Sequence, residues 1–205
     1  MDLAAARDQI VRLGAALYDR RITPGRTGNL SVRCDDLVVM TPTGACLGRL
    51  EPEGLSLVAL DGSRVGGPQP TKEAGLHVAM YARSPGIGAV AHSHSTHAVA
   101  VSILTETDPD QAIAALTAYF AMRVGRLPLI PYFAPGDAAL AGAVAQLPVD
   151  VGCALLAHHG PIASGADLES AVDALEEIEE TARLSLLTHG RTLRTLPPAD
   201  FRRPY

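Results

Sequence analysis

AVAHSH, residues 89–94, is a short apolar run that ends in two histidines spaced two apart. In an extended segment the side chains at i and i+2 share a face, so both imidazoles can meet one ion at about 2.1 Å. Small, helix-compatible residues follow to about Leu104, and the stretch reads as a strand running into a helix. Upstream, Pro70-Thr71 sets up a helix over 72–83. Thr71 is its candidate cap, and Glu73 falls in the first turn, where a carboxylate meets the positive helix end. Downstream, apolar residues 153–157 predict a buried strand that delivers His158-His159-Gly160. That again puts histidine at the C-terminal end of a strand, where open sheets usually bind ligands.

Farther from this centre, charges alternate with apolar residues at helical spacing over 2–20. Strands are expected over 29–33 and 37–41, joined by a turn at Asp35-Asp36 and closed by 42–44. Another fits 55–60, ended by Asp61-Gly62, before a loop over 66–70. Helix is expected over 110–122, extended chain over 127–132 and helix again over 137–147. A last helix over 168–189 carries Val172, Leu175, Ile178, Ala182 and Leu186 toward a core, with Gly190 as its stop. Hairpin-like strands early and helices throughout predict an α/β protein, a sheet covered by helices on both sides.

The 205 residues suit one domain, 1–205, and 47% hydrophobic composition with a mean hydropathy of +0.16 marks a globular chain. A net charge of −5 argues against nucleic acid as a partner. No apolar run reaches the roughly 18 residues of a membrane span, and the N-terminal stretch is an amphipathic helix rather than a signal peptide, so a cytoplasmic location without membrane association is expected. Cys34, Cys46 and Cys153 are odd in number and form no CxxC, which favours free thiols. Lys72 is the one lysine among 17 basic residues, and it stands beside Glu73.

Each of these features has an ordinary reading by itself. Two strand histidines can be polar neighbours, Glu73 can simply complement a helix dipole, and glycine loops can be plain turns. Together they describe a site. One histidine of the 158–159 pair would complete a three-imidazole set that leaves coordination positions open, as carbonyl-polarising metals require. The loops Arg26-Thr27-Gly28-Asn29 and Thr41-Pro42-Thr43-Gly44 bring hydroxyls, an amide and glycine N–H groups, the makings of an anion cradle.

The set GRTGNLS (25–31), TPTG (41–44), PTKE (70–73), AHSH (91–94) and HHG (158–160) resembles the class II aldolase/adducin-head family over roughly residues 5–190. The resemblance implies a three-layer α/β/α fold around a mainly antiparallel sheet, assembled as a homotetramer with sites at subunit interfaces. It implies metal ligands at His92, His94 and His159, with Glu73 as acid/base. It also implies that Thr27, Gly28, Asn29, Thr43, Gly44 and Thr71 hold a substrate phosphate. The cofactor would be one divalent ion per subunit. Three imidazoles and a carboxylate suit zinc, and manganese, cobalt or iron also fit.

Within the family, PTKEAGLH (70–77), HSHSTH (92–97) and TAYFAMRVGRLPLIPYFAPGD (117–137) look most like the 3-oxo-tetronate 4-phosphate decarboxylases. Sugar-phosphate aldolases usually show serine where Lys72 stands, and the 4-epimerase type carries aspartate in place of Glu73. The implied activity is decarboxylation of a small phosphorylated sugar acid to dihydroxyacetone phosphate. The alternatives are cleavage of a ketose phosphate such as L-fuculose 1-phosphate, dehydration of a methylthio-pentulose phosphate, or a non-enzymatic scaffold like the adducin head. Lys72 is read as the group that meets the substrate carboxylate, as a Schiff-base lysine or as a surface residue. Tyr119 is either a hydrogen-bond donor to the site or a tyrosine packed at an interface, and Arg123 is likewise open. His97 is expected to orient a ligand, with His158 in the same role or in the core; His77 and His189 are read as structural or exposed. A C-terminal tyrosine closes over substrate in some family aldolases, which makes 201–205 of interest.

Overall fold

Side-chain alternation along the strands decides which helices cover each face of the sheet. The structure is a computed structural model and describes residues 2–134 and 136–197; residues 201–205 lie outside this range. In chain order the elements are α1 (Leu3–Asp19), β1 (Asn29–Cys34), β2 (Leu37–Met40), β3 (Ser56–Ala59), β4 (Arg64–Gly66), α2 (Ala74–Arg83) and β5 (Ala89–His92). They continue with α3 (Thr96–Ser102), α4 (Ala118–Arg123), β6 (Leu129–Ile130), α5 (Ala138–Ala145), β7 (Cys153–Leu156), β8 (Gly160–Gly165) and α6 (Leu168–Leu187). The strands form one sheet in the order β4-β3-β2-β1-β5-β8-β7-β6. All neighbours run antiparallel except β6 and β7.

On one face Leu30, Val32, Val39, Ala89, Ala91, Leu155 and Ala163 pack with Ile10 and Leu17 of α1, Val101 of α3, Phe120 of α4, and Leu175 and Ile178 of α6. On the other, Val38, Met40, Val58, Val90, Ala154 and Ile162 meet Leu76 and Met80 of α2 and Leu140 and Val144 of α5. Neighbouring residues of one strand go to opposite cores, as the two-residue period requires. The result is the expected three-layer α/β/α arrangement around a mainly antiparallel sheet. Cys34 and Cys153 are buried free thiols, and Cys46 is half-buried and free.

Three expectations need correction. Residues 110–122 are not one helix. Ala112 N–H donates to Leu127 O at 2.8 Å and Leu129 N–H to Pro109 O at 2.9 Å, while the Gln111 amide ties Ile113, Gly125 and Leu127 together. These bonds hold 109–115 against the chain entering β6, and α4 starts only where the Thr117 hydroxyl caps Phe120 N–H at 3.0 Å. Strands β4 and β8 stand where no strand was expected; β8 is rich in Gly, Pro and Ser, and its extended form comes from pairing with β5 and β7 on its two sides. The helix expected from residue 72 begins at Ala74, with Glu73 rather than Thr71 at the cap position. Thr71 N–H is drawn to Thr41 O at 3.1 Å, and a turn over 71–74, closed by Ala74 N–H donating to Thr71 O at 3.0 Å, precedes the helix.

Candidate metal centre

The ends of β5 and β8 meet at one point. His92 has the parity of Val90, which puts its ring on the α2 side of the sheet. Its Nδ1 donates to Pro161 O at 2.9 Å, so Nε2 is the nitrogen that carries the lone pair. That atom lies 3.5 Å from Glu73 Oε2. His94 follows just past the strand end. His159 sits on the connection between β7 and β8, with Nε2 2.8 Å from Glu73 Oε1. The three ring centroids are 4.6–4.9 Å apart with steep interplanar angles. One potential ligand atom from each of Glu73, His92, His94 and His159 lies within 4.8 Å of the others.

Two glycines allow this convergence. A Cβ on Gly160, at φ +133°, would stand 2.2 Å from Ser93 O and 3.1 Å from His94 Cα. One on Gly28, at φ +76°, would stand 2.8 Å from His92 O. Only glycine lets these backbones touch.

The donor set fits a divalent cation. Glu73 Oε1, His92 Nε2 and His159 Nε2 are buried without a properly formed hydrogen bond among the described residues, a costly state unless another partner takes their lone pairs. Burial pushes His92 down to about 3 against the pull of Glu73, and burial with His159 nearby lowers His94 too. Burial alone would raise Glu73, but the nearby imidazoles of His92 and His159 and the hydrogen bond from Asn29 hold its carboxyl well below the usual carboxylate range. Neutral imidazoles and an ionised carboxylate are the protonation states that bind metal.

Above this cluster lies a cavity of about 260 Å³ lined by Arg26, Thr27, Gly28, Asn29, Pro42, Thr43, Gly44, Ala45, Thr71, Lys72, Glu73, His94 and His159. The structure thus brings together in one wall the three loops singled out by sequence. They are tied to each other: Thr43 N–H donates to Gln69 O at 3.0 Å, and Arg26 Nη1 to Gly44 O at 3.1 Å. Thr27 Oγ1 donates to Pro24 O at 2.6 Å, and Thr71 Oγ1 accepts from Glu73 N–H at 3.3 Å. Gly28 and Gly44 have φ of +76° and +68°, a left-handed geometry that turns successive N–H groups to one side, as in anion-binding nests. The Asn29 amide is already engaged, by Glu73 and His77. Lys72 is exposed at the cavity wall and has no ion-pair partner among the described residues.

Other expected residues fall elsewhere. Tyr119 does not line the cavity; it is 57% exposed on α4, with the Arg123 guanidinium 5.1 Å from its ring centroid. Arg123 pairs with Asp173 at 3.1 Å. Among the described residues His97 orients none of the cluster's histidines. Its Nδ1 is 2.7 Å from Glu179 Oε1, and that carboxylate also accepts the N–H groups of His97 and Ala98 at the start of α3. His158, at φ +59°, is exposed with its ring 5.7 Å from that of Tyr132, so it belongs neither to the core nor to the cluster.

His77 is the residue whose surroundings the sequence reading understated. It is fully buried beneath Glu73, between Asn29 and Ser31. The available signal was its spacing, since Glu73, His77 and Tyr81 recur every four residues along one stripe of a helix. Burial pushes His77 from the usual 6.5 down to about 3, with His92 adding to the shift and Glu73 opposing it. The unfolded chain therefore takes up a proton below about pH 6.5 that the folded protein refuses until about pH 3. Stability is fully present above pH 6.5 and is lost as pH falls toward 3. Melting of the metal-free protein is expected to drop steadily from pH 6.5 to 4.5, and less steeply in His77→Gln. Equal slopes in calorimetry would show that this histidine does not set the acid limb.

Residues 8–186 match the family described as the class II aldolase and adducin N-terminal domain. A protein from Haemophilus influenzae called 3-oxo-tetronate 4-phosphate decarboxylase is 43% identical, over 96% of this chain and 94% of its own. A protein from Methanococcus maripaludis called L-fuculose phosphate aldolase is 32% identical, over 89% and 97%. The crystal structure of YgbL from Klebsiella pneumoniae superposes with a TM-score of 0.93 at 40% identity, covering 98% of this chain and 97% of that one. The order of loops, the Glu73–histidine cluster and these likenesses agree, and the chain belongs to the class II aldolase and adducin N-terminal domain family.

Proposed function

We propose that the protein is a metal-dependent carbon–carbon lyase that decarboxylates a 3-oxo-tetronate 4-phosphate to dihydroxyacetone phosphate and CO2. The observation that carries this reading is the make-up of one cavity. It combines a carboxylate–imidazole cluster, anion-binding loops and an unpaired lysine. Relatives that bear the name of this activity, at 40–46% identity over most of the chain, support it.

His92, His94 and His159 would hold the ion, zinc by its donor set, with Glu73 beside it. When bound, such an ion supplies Lewis-acid stabilisation of the oxygen charge that develops as CO2 leaves. The remaining work belongs to the chain. Thr27, Gly28, Thr43, Gly44 and Thr71 grip the phosphate and so fix the C1–C2 bond in place. Asn29 contributes through Glu73. Lys72 meets the C1 carboxylate and selects acids over neutral ketoses. The electron pair of the C1–C2 bond passes into the C2–C3 enediolate, and C2 then takes a proton. Glu73, or a water it holds, delivers that proton and is reprotonated from solvent.

We read the protein as a cytoplasmic homotetramer, as the family resemblance implies. The exposed Ile103, Tyr119, Met122 and Tyr132 support burial against another copy. In such an assembly Tyr119 would serve a neighbouring subunit's site.

The direct test is an anaerobic assay of zinc- or manganese-loaded protein with 3-oxo-tetronate 4-phosphate, following dihydroxyacetone phosphate through a coupled dehydrogenase. Turnover abolished by EDTA supports the reading. No turnover with metal bound, and release of an aldehyde from L-fuculose 1-phosphate instead, would replace it with an aldolase. Lys72→Met should keep its metal and lose roughly 10–100-fold in kcat/KM for the acid, the usual scale of one charged hydrogen bond. Unchanged kcat/KM would remove Lys72 from the site.

A further inference from the structure

Behind Glu73 a file of buried polar side chains runs away from the cavity. Asn29 Nδ2 donates to Glu73 Oε2 at 2.6 Å, and Asn29 Oδ1 lies 2.5 Å from His77 Nε2. His77 Nδ1 is 2.7 Å from Ser31 Oγ, which in turn is 2.8 Å from the Tyr81 hydroxyl. All five residues are buried, His77 and Ser31 completely, and His77, Ser31 and Tyr81 are absent from the cavity wall. The arrangement follows from two periods meeting. Asn29 and Ser31 share the face of β1 opposite Leu30 and Val32, and residues 73, 77 and 81 share one stripe along α2.

The file has a direction. The ionised Glu73 only accepts, which fixes the order back along the file and leaves Ser31 Oγ to accept from the Tyr81 hydroxyl. The Ser31 proton then goes to His77 Nδ1, which leaves the His77 proton on Nε2 to meet Asn29 Oδ1. The Asn29 NH2 is thereby turned onto Glu73. In the opposite order Asn29 Oδ1 would face the ionised Glu73 at 2.6 Å, two acceptors in contact.

We propose that Tyr81, Ser31 and His77 form a positioning relay that holds the Asn29 amide with its NH2 on Glu73, and so aims the free Glu73 oxygen at the histidine cluster. This rests on the reading of Glu73 as the acid/base group. His77 touches neither substrate nor metal and acts through Asn29. Without the Nε2–H the amide keeps only its Glu73 partner, and the Glu73 carboxylate is held in direction less firmly.

The test separates His77→Gln, whose amide N–H stands near the place of Nε2, from His77→Asn, which is too short to reach Asn29. In the metal-loaded protein His77→Asn is expected to lower kcat about 10–100-fold, with KM within about threefold and metal content unchanged. His77→Gln should recover to within about fivefold of wild type. Equal losses in both variants would reduce His77 to packing and overturn the relay.

Independently of turnover, nitrogen-15 NMR of the metal-free wild type should show His77 in its Nε2–H form. Ser31→Ala, which keeps His77 in place, should mix the two tautomers. An Nδ1–H form in wild type, or an unchanged single form in Ser31→Ala, refutes the relay even if a variant fails to fold. If wild type turns over no β-keto acid, the proposed reaction falls while the tautomer measurement still judges the relay.

Discussion

Glu73→Gln is expected to lower kcat by about a thousandfold while leaving the fold and most of the bound metal in place. Glutamine keeps the shape of the side chain and its carbonyl still accepts from Asn29, so the buried site is not opened. What disappears is the negative charge, held below the usual carboxylate range by His92, His159 and Asn29 against the cost of burial. Three neutral imidazoles remain to hold the ion, so affinity should fall far less than rate. A positioned acid/base group contributes about 10²–10⁴-fold, and this one is buried, ionised and 2.8 Å from His159 Nε2. The measurement pairs steady-state kinetics with metal content by mass spectrometry. A kcat within tenfold of wild type at full metal occupancy would show that proton delivery to C2 does not pass through Glu73. Loss of the metal instead would make Glu73 chiefly a ligand.

Much of this site was legible because its residues lie in short contiguous motifs. His92 and His94 are two apart at the end of β5, Glu73 directly follows Lys72, and the glycine loops carry their own signatures. The third ligand could be placed at the end of β7, but the choice between His158 and His159 came from the family resemblance. In the structure the left-handed turn at His158 leaves that ring exposed, while His159 turns in toward Glu73, His92 and His94. What was not legible depends on contacts distant in sequence. Strand β8 looks like a loop because glycine, proline and serine have weak strand preference, yet all six residues are buried between β5 and β7. The helical reading of 110–122 failed because Gln111 and the chain around Leu127 offer the backbone other partners. The file from Tyr81 to Glu73 needs the register of α2 over β1, which no local pattern states.

Gly160→Ala is expected to dismantle the metal site from a position that holds no ligand. Its φ of +133° lies where L-residues with a Cβ are strained, and the added carbon would stand 2.2 Å from Ser93 O. Neither side can yield cheaply. Ser93 N–H and His92 Nδ1 both bond to Pro161 O, at 3.2 and 2.9 Å, so the end of β5 is pinned to the residue following the substitution. Relief must come from lifting the start of β8, which carries His159 away from His92 and His94. Strain and overpacking together should cost about 3 kcal/mol or more, near 10 °C in melting for a chain of this size. Gly25→Ala is the control, since its φ of +64° is also left-handed but no atom lies within 4 Å of the added carbon. That substitution should cost about 1 kcal/mol and spare the site. Zinc competition titrations on the two variants decide the matter. A loss of at least 100-fold in affinity confined to Gly160→Ala means that backbone contact between β5 and β8 sets the ligand geometry. Equal affinities would mean that the imidazoles find the ion without that contact, and that the close approach serves only the sheet.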